Sequence, residues 1–233
     1  MRAGLLLAAV LGLPPLAWQL AAPPPRLDAD AVEYFSHVRS LYFDRDLDFA
    51  NEFAHFGILT RGDKVRPTVT GHRRTIFSVG PALLWMPFYA GGDLVARLAS
   101  EREDGYSRYH IRAVCLASLV YGVAGLLLVS RILGECFGQR VAFWTSILLL
   151  YATFLLWYLV YEAAMSHAVS FFAAALVLFT WWPARRELPS GRALVLGLLV
   201  GLAATVRWQN AVLLLLPAFT LARALRSKPW AAL

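Results

Sequence analysis

Long apolar runs without charged side chains alternate with short charged connections along this chain. Residues 3–25, 113–130, 141–161 and 163–182 contain no Asp, Glu, Lys or Arg. A helix needs about 20 mostly apolar residues to cross the hydrocarbon core of a bilayer, and each run is close to that length. The chain is 59% hydrophobic and 16% charged, whereas soluble domains contain roughly 45–50% apolar residues. We therefore predict an all-α polytopic membrane protein.

The net charge of +7 does not indicate nucleic-acid binding. Residues 26–112 contain twelve basic and twelve acidic side chains, so the excess falls in the rest of the chain, which has ten basic and three acidic ones. There it lies in short connections between apolar runs, as expected for cytoplasmic loops. The two cysteines, Cys115 and Cys136, form neither a disulfide framework nor a zinc-binding spacing. Disordered chains, coiled coils and small secreted disulfide proteins are excluded.

The last apolar region, residues 193–222, is interrupted by Arg207 and the polar residues after it. One long helix would place the basic residues at its two ends on opposite sides of the membrane, against the positive-inside rule. Two arms, 193–206 and 211–222, that meet at residues 207–210 would return both ends to the cytoplasm. We predict this broken hairpin.

The first run is a candidate signal peptide, because Arg2 precedes it and small residues follow it. Its length and the further apolar runs favour an uncleaved membrane anchor, residues 1–25. The predicted layout is an exoplasmic loop, 26–112, followed by a transmembrane helical bundle, 113–233, with a cytoplasmic N-terminus. Six membrane segments result, near 1–25, 113–130, 141–161, 163–182, 193–206 and 211–222, in a plasma (inner) membrane.

Two stretches of the loop have helical patterns. Residues 31–43 place apolar side chains at three- and four-residue spacing, and this pattern predicts a helix with one apolar face that lies in the membrane interface. Residues 76–98 are apolar and contain Pro87 and a Gly-Gly pair, so we expect one or two interfacial helices. Asp93 and Arg97 are spaced to pair across one turn.

Asp28 and Asp30 follow directly after the first span, at the predicted exoplasmic surface. There a carboxylate can accept a proton from an acceptor hydroxyl while a lipid-borne donor approaches from the bilayer. The alternative is that one of them caps the helix that begins near residue 31. The residues alone leave both interpretations open.

Arg207 is unusual because arginine within an apolar region is costly, about 2.5–3.5 kcal/mol on insertion scales. It is a candidate for binding a phosphate, or else an arginine that extends to the membrane surface. Glu162 and His167 at the outer end of a span, and His72, Arg73 and Arg74 in the loop, are further candidates for substrate binding. The alternate aspartates Asp44, Asp46 and Asp48 are weak metal-ligand candidates, because Phe49 occupies the glycine position of a calcium loop.

Several segments resemble the GT-C membrane glycosyltransferases. The loop from Asp28 to Phe49, with Tyr34-Phe35 and Arg39-Ser40-Leu41, is similar to the first exoplasmic loop of the group that contains the protein O-mannosyltransferases, the aminoarabinose lipid A transferases and the RgtA/B/C/D-like enzymes. SVGPALLWMPFY (78–89), MSHAVSFF (165–172) and GLAATVRWQNAVLLLLP (201–217) also fit.

The resemblance implies a GT-C-like fold and transfer of a sugar from a polyprenyl-phosphate donor to a glycan, lipid or protein acceptor on the exoplasmic side. It places the catalytic acid at Asp30, with Asp28 as the alternative, and adds Tyr34 to the substrate-binding candidates. Some members of the wider fold use a divalent metal ion, so the metal requirement stays open.

Two other classes remain as alternatives. One is a lipid-linked sugar transporter, which would place polar residues along several spans. The other is a non-catalytic scaffold or half-enzyme, because members of the family are usually longer. We accordingly expect the sequence to be truncated at its C-terminus.

Overall fold

The computed structural model describes residues 2–59, 67–73, 75–102 and 104–227. Within these ranges the chain is all-α, as predicted, with ten α-helices. The helices are α1 (Arg2–Ala21), α2 (Ala29–Arg39), α3 (Ala50–His55), α4 (Gly80–Leu98), α5 (Arg108–Phe137), α6 (Gln139–Tyr151), α7 (Leu155–Val160), α8 (His167–Trp181), α9 (Ser190–Val206) and α10 (Leu215–Ser227). A π-helical turn, Ser40–Asp44, extends α2, and 3₁₀ segments follow α8 (Trp182–Ala184) and α9 (Trp208–Leu214).

Three of these elements are long and apolar enough to cross a membrane. They are Gly4–Ala21 in α1, the whole of α5 (Arg108–Phe137) and His167–Ala184, which is α8 with the 3₁₀ turn after it. Helix α9 is apolar but shorter. These helices indicate a multi-pass membrane protein, in agreement with the sequence.

Helix α5 lies at the centre and packs against α1, α4, α6 and α8. Glycines on α5 permit this close packing: a Cβ atom at Gly122 would overlap the side chain of Leu159, and one at Gly125 would approach Phe171 to 2.9 Å. Small residues at helix interfaces are typical of membrane bundles, because they let neighbouring helices approach closely. The 30-residue α5 begins at Arg108, so its first turn lies within the predicted loop 26–112.

The predicted span 141–161 is not one helix. Helix α6 ends at Tyr151, and the chain turns before the short helix α7 begins at Leu155. Thr153 accounts for this break, because its hydroxyl donates to Leu149 O at 2.6 Å and accepts from the backbone N–H of Leu155 at 3.1 Å. Such side-chain bonds offer the backbone an alternative to continued helix.

The loop contributes one long helix where one or two were predicted. Helix α4 begins at Gly80 with Pro81 in its first turn and continues through Pro87 and the Gly-Gly pair to Leu98. The predicted Asp93–Arg97 ion pair is present at 2.9 Å.

Helix α2 differs from a helix with a single apolar face, because residues 31–40 are buried all around. Its polar side chains have protein partners that compensate for their burial. Ser36 Oγ donates to Val32 O at 2.7 Å, and the Glu33 carboxylate accepts from Thr75 Oγ1 at 2.6 Å. The helix is therefore part of the protein core rather than a one-sided surface helix.

The chain reverses direction at Arg207. Helix α9 ends there because Arg207 adopts an extended backbone, with φ −150° and ψ 126°. Asn210, after the break, donates a hydrogen bond to Ser170 near the start of α8. Thr220 accepts a hydrogen bond from Nε1 of Trp181, the last residue of α8. Residues 210–220 therefore follow the direction of α8, and the predicted interruption at residues 207–210 is present.

Candidate active site

The hydroxyl groups of Tyr34 and Ser166 join two distant parts of the chain. Ser166 Oγ donates a hydrogen bond of 2.9 Å to Tyr34 Oη, and both side chains are buried. Tyr34 lies in the second turn of α2, and Ser166 directly precedes α8. This bond places the start of α2, which carries the predicted catalytic carboxylates, against the N-terminal end of α8.

Asp28 and Asp30 occupy the beginning of α2. Asp28 is the N-cap residue and its backbone oxygen accepts from the N–H of Ala31 at 3.0 Å, but its side chain makes no capping hydrogen bond. Asp28 therefore occupies the N-cap position, as the capping alternative predicts, but its carboxylate does not cap the helix. Asp30, in the first turn, is partly buried.

Arg207 lies within electrostatic range of the same group. Burial is the main influence on the phenol of Tyr34 and raises its pKa; the Ser166 hydrogen bond and the charge of Arg207 lower it, and the charges of Asp30 and Glu33 raise it again. The interaction between two charges weakens as the distance between them grows, so a charge that shifts the pKa of Tyr34 lies near it. Arg207 and Asp30 therefore both lie near Tyr34.

Glu162 completes an acidic group at this place. Burial raises its pKa, and the nearby charges of Asp28 and Asp30 raise it further. Like charges disfavour ionisation of one another, so Glu162 holds a proton more readily than an isolated glutamate. The predicted residues Asp28, Asp30, Tyr34, Glu162 and Arg207 are brought together from three separate parts of the chain.

His167 borders this group at the first position of α8. Its ring stacks on Tyr158 with centroids 3.8 Å apart and planes 4° from parallel, and it lies within range of the Arg207 charge. Its buried Nδ1 atom has no hydrogen-bond partner among the described residues.

The glycine of the SVGPALLWMPFY segment holds α4 against this site. A Cβ atom at Gly80 would overlap the backbone of Thr205 and Val206, directly before Arg207. Only glycine permits this approach of two backbones. Asn210 supports the other side of Arg207, because its Nδ2 atom donates to Ala203 O and Ser170 Oγ, both at 2.9 Å.

His72 and Arg73 make their described contacts at a different place. The ring of His72 lies 3.4 Å from a carboxylate oxygen of Asp48, and the backbone N–H of Arg73 donates to the other oxygen at 2.8 Å. The Arg73 hydrogen bond lowers the pKa of Asp48, although burial opposes it. These contacts join the two residues to the acidic segment at Asp48. The prediction for Arg74 lies outside the described residues.

The three weak metal-ligand candidates are each bound by other groups. Asp44 pairs with Arg39 and accepts from Asn51 Nδ2 at 2.7 Å, whereas Asp46 accepts from Ser40 Oγ at 2.8 Å. Within the described ranges no group of three or more His, Cys, Asp or Glu side chains has an arrangement that could hold a metal ion. Asp44, Asp46 and Asp48 therefore bind neighbouring groups of the loop in this structure.

A buried polar row connects α4 with α5. The ring of His110 lies between Ser107 Oγ, at 2.8 Å, and Asp93 Oδ1, at 3.2 Å. Asp93 also accepts from Arg97 and Tyr42, and although burial raises its pKa, these hydrogen bonds lower it overall. Because His110 is fully enclosed and Asp93 is bound on several sides, this row serves packing.

Ser166 is the contact residue that the sequence interpretation did not select. It lies in the MSHAVSFF segment, directly before the predicted site residue His167. A serine directly before an apolar helical run is a typical N-cap signal, and that signal identifies the position but not its long-range partner.

Comparisons with known proteins give no further assignment. No family model, no curated protein and no solved structure matches the chain.

Proposed function

We propose that the chain transfers a sugar from a polyprenyl-phosphate-linked donor to an acceptor at the exoplasmic surface of the plasma membrane. The observation that supports this most is the convergence of Asp30, Tyr34, Glu162 and Arg207 beside apolar helices. A carboxylate and a fixed cation at the end of a helical bundle are the two charges that such a transfer needs.

In this reaction the acceptor hydroxyl attacks the anomeric carbon, and the bond from that carbon to the phosphate oxygen breaks. Asp30 accepts the hydroxyl proton as general base. Arg207 holds the donor phosphate and stabilises the negative charge of the departing polyprenyl phosphate. The attack from the opposite face of the sugar gives inversion.

Glu162 and Tyr34 have supporting roles in this proposal. Burial and the charges of Asp28 and Asp30 raise the pKa of Glu162, which favours a role in hydrogen bonding to the sugar or the acceptor, and the proposal assigns proton acceptance to Asp30. Tyr34 is held by Ser166 and positions the first turns of α2 against Arg207.

The proposed arrangement in the membrane is GT-C-like. It consists of six membrane segments, with a cytoplasmic N-terminus and the residues between α1 and α5 on the exoplasmic side. The α9–α10 break then places Arg207 at the same side as Asp30. A reporter fused after residue 227 tests this topology, since the proposal requires a cytoplasmic location for it.

The enzyme proposal is tested with labelled donors. The purified chain in nanodiscs is given a mixed pool of polyprenyl-phosphate sugars and a crude acceptor fraction, with divalent ions or a chelator. Transfer by the wild type that is lost in Asp30→Asn and kept in Glu187→Gln, a change at an exposed carboxylate between α8 and α9, supports the proposal. No transfer by a folded wild type would contradict it and favour a scaffold, and movement of donor across the bilayer without transfer would favour a transporter.

A further inference from the structure

A cavity of about 420 Å³ lies where α1 ends, between α1, α5 and α7. Its wall contains three consecutive prolines, Pro23 to Pro25, and the aromatic pair Trp18 and Tyr161, whose rings are 5.5 Å apart. Tryptophan and tyrosine are enriched at the level of lipid headgroups. The cavity thus has the composition of a headgroup-level site.

Both charged side chains among the described residues that line this cavity are arginines, Arg26 and Arg112. The guanidinium group of Arg112 is oriented by a hydrogen bond from Nη2 to Ala22 O at 2.9 Å. Its buried Nε atom has no hydrogen-bond partner among the described residues. The cavity therefore presents positive charge next to unsatisfied hydrogen-bonding capacity.

Gln19 adds a second unsatisfied group. Its Nε2 atom donates to Cys115 O at 3.1 Å and to Leu159 O at 2.6 Å, which fixes the amide, but the buried Oε1 atom lacks a partner in the described part of the chain. Buried polar atoms are nearly always paired in folded proteins, and leaving one unpaired costs about 1–3 kcal/mol. A bound polar ligand would account for both residues.

An apolar groove continues from the cavity along α1 and α5. It has a volume of about 400 Å³ and is lined by side chains such as Leu13, Leu16 and Val120. Leu116 lines both the cavity and the groove, so the two are adjacent. The groove follows α5 from Leu116 to Leu127, which is about 16 Å at 1.5 Å per residue and close to half of a hydrocarbon core about 30 Å thick.

We infer that the cavity and the groove together bind one anionic glycerophospholipid. Arg112 and Arg26 contact its phosphate, Gln19 accepts from a headgroup hydroxyl, and one acyl chain occupies the groove between α1 and α5. The length of the groove favours a lipid that spans a single leaflet over a polyprenyl chain. This site differs from the one at Arg207 and Asp30 and does not depend on the sugar-transfer proposal.

The charge requirement is tested by lipid retention. Wild-type chain in nanodiscs of phosphatidylglycerol and phosphatidylcholine is released into the gas phase, and the bound lipid is identified by native mass spectrometry. We expect one phosphatidylglycerol per chain, with retention at least about tenfold lower in Arg112→Gln, since a hydrogen bond to a charged group contributes about 1.5–3 kcal/mol. Arg108→Gln, one turn away on α5 and outside the cavity lining, is the matched control and should retain the lipid.

A second variant covers the case in which Arg112→Gln fails to fold. Val120→Trp fills the groove and leaves both arginines in place, whereas Leu198→Trp introduces the same side chain on the exposed surface of α9. Loss of lipid in Val120→Trp but not in Leu198→Trp supports the inference. Wild-type retention in Val120→Trp, equal retention of phosphatidylcholine, or displacement of the bound lipid by an equal amount of polyprenyl phosphate would overturn it.

Discussion

Ser166 Oγ donates a 2.9 Å hydrogen bond to Tyr34 Oη across 132 residues of sequence. Because Tyr34 lies one turn after Asp30 on α2, and Ser166 lies four residues after Glu162, this bond fixes the relative positions of two carboxylates. The arrangement of the candidate active site depends on it.

Tyr34→Phe and Ser166→Ala should each lower the free energy of unfolding by about 1–2 kcal/mol. Each change removes one of the two buried hydroxyl groups and leaves the other without its hydrogen-bond partner. The double variant should lose less than the sum of the two, since both changes break the same bond. Thermal unfolding of the four proteins in one detergent measures this coupling. Strictly additive losses would show that the bond contributes nothing.

Gly80→Ala should destabilise the chain by about 1–3 kcal/mol, because the added Cβ atom would overlap the backbone of Thr205 and Val206 and force α4 away from α9. Gly91→Ala on the same helix is the matched control: a Cβ there meets nothing within 4 Å, and alanine favours a helix. We expect Gly91→Ala to be neutral or slightly stabilising. Equal melting temperatures for both variants would contradict the packing described for Gly80.

The sequence predicted those features that depend on local pattern. Apolar length predicted α1, α5 and α8, and the charge of Arg207 predicted the interruption after α9. It did not predict the break at Thr153, because one hydroxyl bond decides it, nor the full burial of α2, because partners such as Thr75 lie far along the chain. His72 and Arg73 were grouped with Arg207 by charge alone, whereas their contacts depend on how the loop folds around Asp48.

Glu52 predicts a dependence of stability on pH. Burial raises its pKa from 4.5 to about 7, although hydrogen bonds from its own backbone and from Arg39 oppose the shift. The folded state therefore binds this proton more strongly than the unfolded state, and the contribution to stability is complete below about pH 4.5 and is lost as pH rises through about 7.

Glu52→Gln should reduce this dependence, because glutamine stays neutral at every pH. Melting temperatures at pH 5 and pH 8 measure it for wild type, Glu52→Gln and Glu101→Gln, the last at a glutamate whose side chain is 36% exposed. We expect the difference between the two pH values to shrink only in Glu52→Gln. An unchanged difference would contradict a raised pKa at Glu52.

Arg207→Gln should raise the KM for the donor and lower the transfer rate about a hundredfold, because the phosphate loses its cation. Arg207→Lys should keep part of the activity, since it retains the charge but loses the two-pronged geometry of a guanidinium group. Arg223→Gln, on the exposed surface of α10, is the control. Initial rates at varied donor concentration measure these effects, and wild-type kinetics in Arg207→Gln would argue against phosphate binding there.

The proposed transfer depends most on Asp30 as the base, and single-turnover transfer with donor binding measured in parallel tests this role directly. Asp30→Asn should bind the polyprenyl-phosphate sugar as tightly as wild type but transfer it 10²–10⁴-fold more slowly, the range expected for loss of a general base. Asp28→Asn should transfer at nearly the wild-type rate. Wild-type transfer by Asp30→Asn would contradict the central claim.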